Sequence, residues 1–281
     1  MSTFPAARDD RDIYRLAPSA DAAVLDVIAD RLEFRGTDDG YVRLSQGYLA
    51  RLPRSGVRRI LALGCGTGIE VRALRRLADP GTIIVGVDHS PDLLGVARRL
   101  TVQEGLADNV TYTVADAHDL PYVEGEFDLV IMHTLISHVG DPIEVLREAR
   151  RVVRPGGTVA VFDGDYASLT FGYPDHGVAT AVEQRLIQLI VANPRIMRDL
   201  PRLLSETGLV LTAAEGALYA NIGTGSFWPG AAESYGSLLA RSGLLAEEVV
   251  DRWRAFQARS AADNTLFAAS NYYTYLAHRP D

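Results

Sequence analysis

The chain has 281 residues, 47% of them apolar and 8% aromatic, with a formal net charge of −8. That suits one large domain, or one domain with a substantial cap, and excludes a disordered chain. The acidic balance argues against a nucleic-acid partner, whose phosphates need clustered cations.

All 28 basic residues are arginine, which removes Schiff-base lysines, lysine general bases and phosphate-loop lysines from the available chemistry. Cys65 is the only cysteine, so an intramolecular disulfide and a cysteine-rich zinc site are excluded. The opening MSTFPAARDDRD lacks the apolar core of a signal peptide. No stretch approaches the ~20 apolar residues that span a bilayer. The sequence therefore predicts a cytoplasmic protein with no membrane partner.

Residues 1–18 read as a polar, proline-punctuated arm. Ser19 can cap a helix through about residue 34, with Ala23, Val24, Val27, Ile28 and Leu32 on one side. A second helical stretch, YVRLSQGYLARL, ends before Pro53. A regular alternation follows. RRILALG (58–64) is a predicted strand and 68–78 a helix; TIIVGVD (82–88) is the second strand. Ser90-Pro91 opens the next helix as N-cap and first helical residue. VTYTVAD (110–116) and FDLVIMH (127–133) are strands three and four. Asp141-Pro142 starts a helix to about Val153, and GTVAVFD (157–163) is the fifth strand. Arg154-Pro155-Gly156-Gly157 reads as a helix stop and a turn.

Beyond 163 the rhythm breaks, with a helical pattern near 178–192. LVLTAAEGALYA (209–220) resumes as a strand, a mostly helical stretch follows to about 260, and NTLFAASNYYTYLAHR closes as a strand. The expected fold is α/β: a doubly wound, mostly parallel seven-stranded sheet with N-terminal helices and helical cap insertions. The expected divisions are 1–56 (arm and lid helices), 57–163 (core), 164–206 (cap) and 207–281, with a second insertion at 226–262.

The loop after the first strand reads Gly64-Cys65-Gly66-Thr67-Gly68-Ile69. Ile69 stands where a dinucleotide fingerprint needs its third glycine or alanine. The G-x-G-x-G spacing at the end of a first strand resembles class I S-adenosylmethionine-dependent methyltransferases, over roughly 57–163, and the fold implied is Rossmann-like.

In that resemblance Gly64, Gly66 and Gly68 lie against the amino-acid end of S-adenosyl-L-methionine. Asp88 accepts its ribose hydroxyls, with His89 beside it. Asp116 and Ala117 meet the adenine, and the backbone at His133 lines the cleft. Many family members carry an acid where this chain has Ala62; Arg43 on the second helix is a candidate to compensate by holding the cofactor's carboxylate.

Methyl transfer is an in-line displacement that depends on positioning, with a base needed only when the acceptor must lose a proton. His138 can serve as that base or pack beneath its loop. Asp163 and Asp165 flank Gly164 and, in extended chain, point the same way. They can contact an acceptor or cap the turn. Tyr14, Tyr166 and His176 are candidate pocket walls, and Cys65 reads as a small packing residue. The expected partner is a small-molecule methyl acceptor, with C-, N- and O-methylation all open. Two alternatives stand: an NAD-dependent oxidoreductase, disfavoured by Ile69 and the absent lysine, and a cofactor-binding protein with another chemistry.

Overall fold

The structure, a computed structural model, describes residues 22–281; Ser19 and Tyr14 lie outside the described residues. Helices α1 (Ala22–Arg35) and α2 (Asp39–Leu49) precede the alternation. Asp38 caps α2 by accepting the Tyr41 N–H, and also accepts from the Ser226 and Tyr219 hydroxyls. This ties the N-terminal helices to the far end of the chain. On α1, Ile28 is buried against Leu93, whereas Val27 is 56% exposed and is not on the packed side.

β1 (Arg59–Leu63), α3 (Ile69–Leu77), β2 (Ile83–Asp88), α4 (Pro91–Gln103), β3 (Val110–Val114), β4 (Phe127–His133) and α5 (Pro142–Val152) follow in order. Next come β5 (Val153–Phe171), α6 (His176–Leu189), α7 (Ile196–Glu206) and β6 (Val210–Gly223). α8 (Phe227–Ser242), α9 (Glu247–Ala262) and β7 (Leu266–His278) complete the chain.

The strands form one seven-stranded sheet in the order β3-β2-β1-β4-β5-β7-β6. The first five are parallel; β7 runs antiparallel to both β5 and β6. Strand order reverses between β1 and β4, which opens a crevice at their carboxyl ends, where open α/β sheets bind ligands.

Arg154-Pro155-Gly156-Gly157, read from the sequence as a helix stop and a turn, follows the end of α5 but already belongs to β5, which starts at Val153. The Asp128 carboxylate accepts the Arg58 and Arg59 N–H groups and pairs with Arg154, clamping the starts of β1, β4 and β5 together. A Cβ at Gly157 would sit 2.9 Å from the backbone oxygens of Arg154 and Asp128, so only glycine fits there.

Two further features differ from the sequence reading. β5 does not stop at Asp163; it continues to Phe171, because β7 pairs alongside it as far as Phe171↔Ala268 across a bulge after Asp165. The predicted cap at 164–206 also divides. α6 joins α8 and α9 around the overhanging strand ends, where Phe171 meets Trp253 edge-on at 5.3 Å. α7 instead lies beside α5 on the opposite face, burying Met197, Leu200 and Leu204.

α7 carries Pro201 in its interior, which removes the N–H that would bond the Met197 carbonyl. The Tyr275 hydroxyl, reaching from β7, donates to that carbonyl at 2.8 Å instead. The closing strand thus completes the helix.

Candidate active site

The crevice at the strand-order reversal is a cleft of about 670 Å³, within the usual range for a small-molecule site. Its floor is the glycine loop. Gly64, Gly66 and Gly68 all have positive φ (64°, 51° and 80°), a region L side chains avoid. Neighbours also crowd the loop: a Cβ at Gly64 would lie 2.5 Å from Leu135 Cδ1, and one at Gly68 2.6 Å from the Tyr112 hydroxyl. The backbone is thereby left bare toward the cleft and cannot take substitution.

Asp88, at the end of β2, is buried on the cleft wall. One carboxylate oxygen accepts the Gly66 N–H at 2.8 Å and the other the Ser90 N–H at 2.9 Å. Each oxygen keeps a lone pair for a ligand donor, so the carboxylate both shapes the loop and remains available. His89, exposed at the rim, and Asp116 and Ala117 complete this side. Burial works against the Asp116 charge, yet the His118 N–H and ring, both bonded to Asp116 Oδ1, hold its carboxyl below the usual aspartate range.

His133, at the end of β4, also lines the cleft. Tyr48 Oη lies 2.7 Å from its Nδ1 and Tyr41 Oη 3.1 Å from its Nε2. Burial, with help from the Arg35 charge, drives the ring down to about 3. It is neutral, so one tyrosine donates to it while the other accepts.

Thr134 follows with φ 51°, a strained position for a β-branched residue. It is held by its N–H to Phe162 O at 2.7 Å and by Arg35 Nη1 donating to its Oγ1 at 3.1 Å.

His138 is buried on the cleft wall, its ring 6.2 Å from that of Tyr166. Asp163 is fully buried behind the wall, accepting the Ser137 N–H at 3.1 Å and the Gly164 N–H at 2.7 Å. Burial pushes the Asp163 carboxyl up, while His138 and these donors pull it back.

Asp165 is placed elsewhere: it is 1% exposed, and its Oδ2 takes Arg198 Nε and Nη2 at 3.0 and 2.8 Å. Neither it nor Asp163 lines the cleft. Arg43 is exposed and off the cleft wall; the arginine that α1 and α2 bring to the site is Arg35, from the last turn of α1. His176 is exposed at the start of α6, away from the cleft. Burial raises the Cys65 thiol, which leaves it inert, as a packing residue should be.

Three site residues had not been singled out in the sequence. Arg35 carried a weak signal as a basic residue near the end of a helix. Thr67 and Glu70 carried none, since their burial arises only in the folded chain. Both line the cleft, and Thr67 Oγ1 and Glu70 Oε1 are buried without a hydrogen-bond partner.

A family described as "Methyltransferase domain" matches residues 61–161, the span from β1 to β5 that builds this cleft. Over that span the chain matches a methyltransferase domain. It is 34% identical over 170 residues to methyltransferase GfsG of Streptomyces halstedii, covering 60% of this chain and 59% of that protein. It is 31% identical over 126 residues to the 27-O-demethylrifamycin SV methyltransferase of Amycolatopsis mediterranei, covering 45% of this chain and 46% of that one.

The chain spans about half the length of the curated relatives it matches, between 43% and 59% for the first two. In fold it is similar to phosphoethanolamine N-methyltransferase 2 of Haemonchus contortus, solved with S-adenosyl-L-methionine. The TM-score is 0.53 at 20% identity, over 85% of this chain and 53% of that one.

The family's cofactor, S-adenosyl-L-methionine, fits the residues present. A bare glycine floor admits close approach, a fixed carboxylate waits for vicinal hydroxyls, and orphaned buried oxygens remain for a donor. No described helix is long and apolar enough to cross a membrane.

Proposed function

We propose that this protein methylates a hydroxyl group of a small metabolite, with His138 as the general base. The observation that carries this reading is His138 on the cleft wall, close enough to pull the Asp163 carboxyl down, with that carboxylate pinned by two backbone donors. A hydroxyl acceptor loses its O–H proton as it is methylated, and a base at this position is placed to take it.

When bound, S-adenosyl-L-methionine supplies a sulfonium-borne methyl group for in-line displacement. Asp88 would accept the ribose hydroxyls, Asp116 and Ala117 would flank the adenine, and Arg35 would face the carboxylate. His138 would take the acceptor's hydroxyl proton, and the Asp163 charge would steady the imidazolium that results. The strained Thr134 and the neutral His133 hold the end of β4 in place. The rifamycin relative, named for its O-demethyl substrate, supports oxygen as the atom attacked.

Incubating the protein with methyl-labelled cofactor and panels of alcohols, phenols, amines and carbon nucleophiles tests this directly. Label on oxygen is expected. With that acceptor, His138→Ala should lower kcat about a hundredfold or more while S-adenosylhomocysteine binds within twofold of wild type. Label on nitrogen or carbon, or an unchanged kcat, refutes the reading.

A further inference from the structure

The carboxylates of the cleft wall can be sorted by what they already hold. Glu33 and Glu104 pair with Arg72, and Glu104 also with Arg76. Asp88 takes the loop N–H groups, and Asp116 takes His118. Glu70 differs. It lies in the first turn of α3, directly after the glycine loop, and holds no arginine: its carboxylate draws only on its own backbone N–H, and its Oε1, like Glu33 Oε1, is buried with no partner. Three positions earlier Thr67 Oγ1 is likewise buried and unsatisfied.

The N-cap of α3 is Gly68, which puts Thr67 one position ahead of it and Glu70 at the second helical position, so the two side chains are out of register for a capping box, and Thr67 Oγ1 donates to and accepts from nothing. Leaving two such oxygens orphaned is costly in a native protein unless a ligand satisfies them.

The electrostatics around Glu70 name the ligand's charge. Burial lifts the Glu70 carboxyl to about 8; Asp88 and Glu33 add to that, and Arg72 opposes it. Arg72 is already engaged by Thr67 O, Glu33 and Glu104. Ala62, beneath the loop on β1, is buried and brings no charge. The site is therefore rich in acceptors and short of a donor, and a small cation with several N–H groups is its complement.

On the cofactor that description fits the α-ammonium; the sulfonium has no N–H to give. Glu70 lines the cleft together with Ser45, Gln46 and Leu49 of α2, and its charge is felt at Tyr48 of that helix.

We propose that Glu70, assisted by Thr67, receives the α-ammonium group of the cofactor's amino-acid tail, ionising as it does so. The proposal rests on the cofactor reading given above. Binding would then convert a largely protonated Glu70 into a carboxylate at neutral pH, with the proton released to solvent.

Calorimetry separates this from a structural role. Two probes serve, S-adenosylhomocysteine and its deamino analogue, which keeps the carboxylate but lacks the ammonium. Each is titrated at pH 7 in two buffers of different ionisation enthalpy. Wild type should release close to one proton on binding S-adenosylhomocysteine and none on binding the analogue.

Glu70→Gln keeps the shape of the side chain. It should weaken S-adenosylhomocysteine about tenfold, abolish the proton release and leave the analogue's affinity within twofold. Thr67→Val should weaken S-adenosylhomocysteine by a smaller factor in the same selective way. Proton release that persists in Glu70→Gln, or equal losses for both probes, overturns the assignment. A wild-type protein that binds neither probe overturns the cofactor reading on which it stands.

Discussion

Removing the Asp88 carboxylate should damage both the loop and the ligand it holds, by amounts that can be measured apart. In the structure Asp88 fixes Gly66 and Ser90 through their N–H groups at 2.8 and 2.9 Å. Hydrogen bonds to a charged acceptor are worth roughly 1.5–3 kcal/mol each. Both donors lie beside an open cleft, so water can replace part of what Asp88→Ala removes, and a stability loss of about 2–3 kcal/mol is expected. On the proposed cofactor reading the ribose hydroxyls would lose their acceptor at the same time, and Gly66 loses the tie to Asp88 that helps hold its left-handed backbone. Cofactor affinity should fall by a further 1–3 kcal/mol, or roughly 5- to 150-fold in Kd. Urea unfolding gives the first number and S-adenosylhomocysteine titration at low temperature, where the variant is folded, gives the second. A variant that is destabilised but binds within twofold of wild type would remove Asp88 from the ligand site. One that is neither destabilised nor weakened would contradict the loop geometry itself.

Asp165→Asn should cost about 1–3 kcal/mol of stability by leaving a buried site without its partner in Arg198, discounted because that arginine is half exposed. It should leave S-adenosylhomocysteine binding unchanged, and a large loss of affinity would return Asp165 to the site. Tyr275→Phe should cost about 1 kcal/mol by orphaning the Met197 carbonyl. In a Pro201→Ala background the restored N–H makes the same change nearly neutral, and additive urea midpoints would refute that coupling. His133 is held down to about 3 when folded, against about 6.5 unfolded, so the unfolded chain binds the extra proton as pH falls below 6.5. Wild type should therefore lose up to about 1.4 kcal/mol per pH unit between pH 6.5 and 3 beyond what His133→Asn loses. Parallel stability curves for the two proteins would contradict the burial of that ring.

The sheet was legible because its signals are local. The glycine loop, the strand-end Asp88 and the Ser90-Pro91 and Asp141-Pro142 caps each report on their own few residues. The continuation of β5 through GDYASLTF was not, since that stretch has no strand pattern of its own and is extended only because β7 lies beside it. α7 was missed for a related reason: Pro201 breaks its pattern, and the bond that repairs it comes from 74 positions downstream, in Tyr275. The alternation of Asp163 and Asp165 was readable, but Arg198, which engages Asp165, could not be placed without that helix. Arg43 and Arg35 are equivalent in sequence; only the Gly36–Asp38 turn, anchored to Tyr219 and Ser226, decides which one reaches the cleft. Glu70 resembles any solvated residue of a first helical turn, and only the folded chain buries it.

The most direct test is a titration of the wild-type protein with S-adenosylhomocysteine and, separately, with NADH. One-to-one uptake of the former with no heat from the latter is expected of a glycine floor that reads Gly64-Cys65-Gly66-Thr67-Gly68-Ile69. Uptake of NADH by a protein that ignores S-adenosylhomocysteine would contradict the assignment of this cleft.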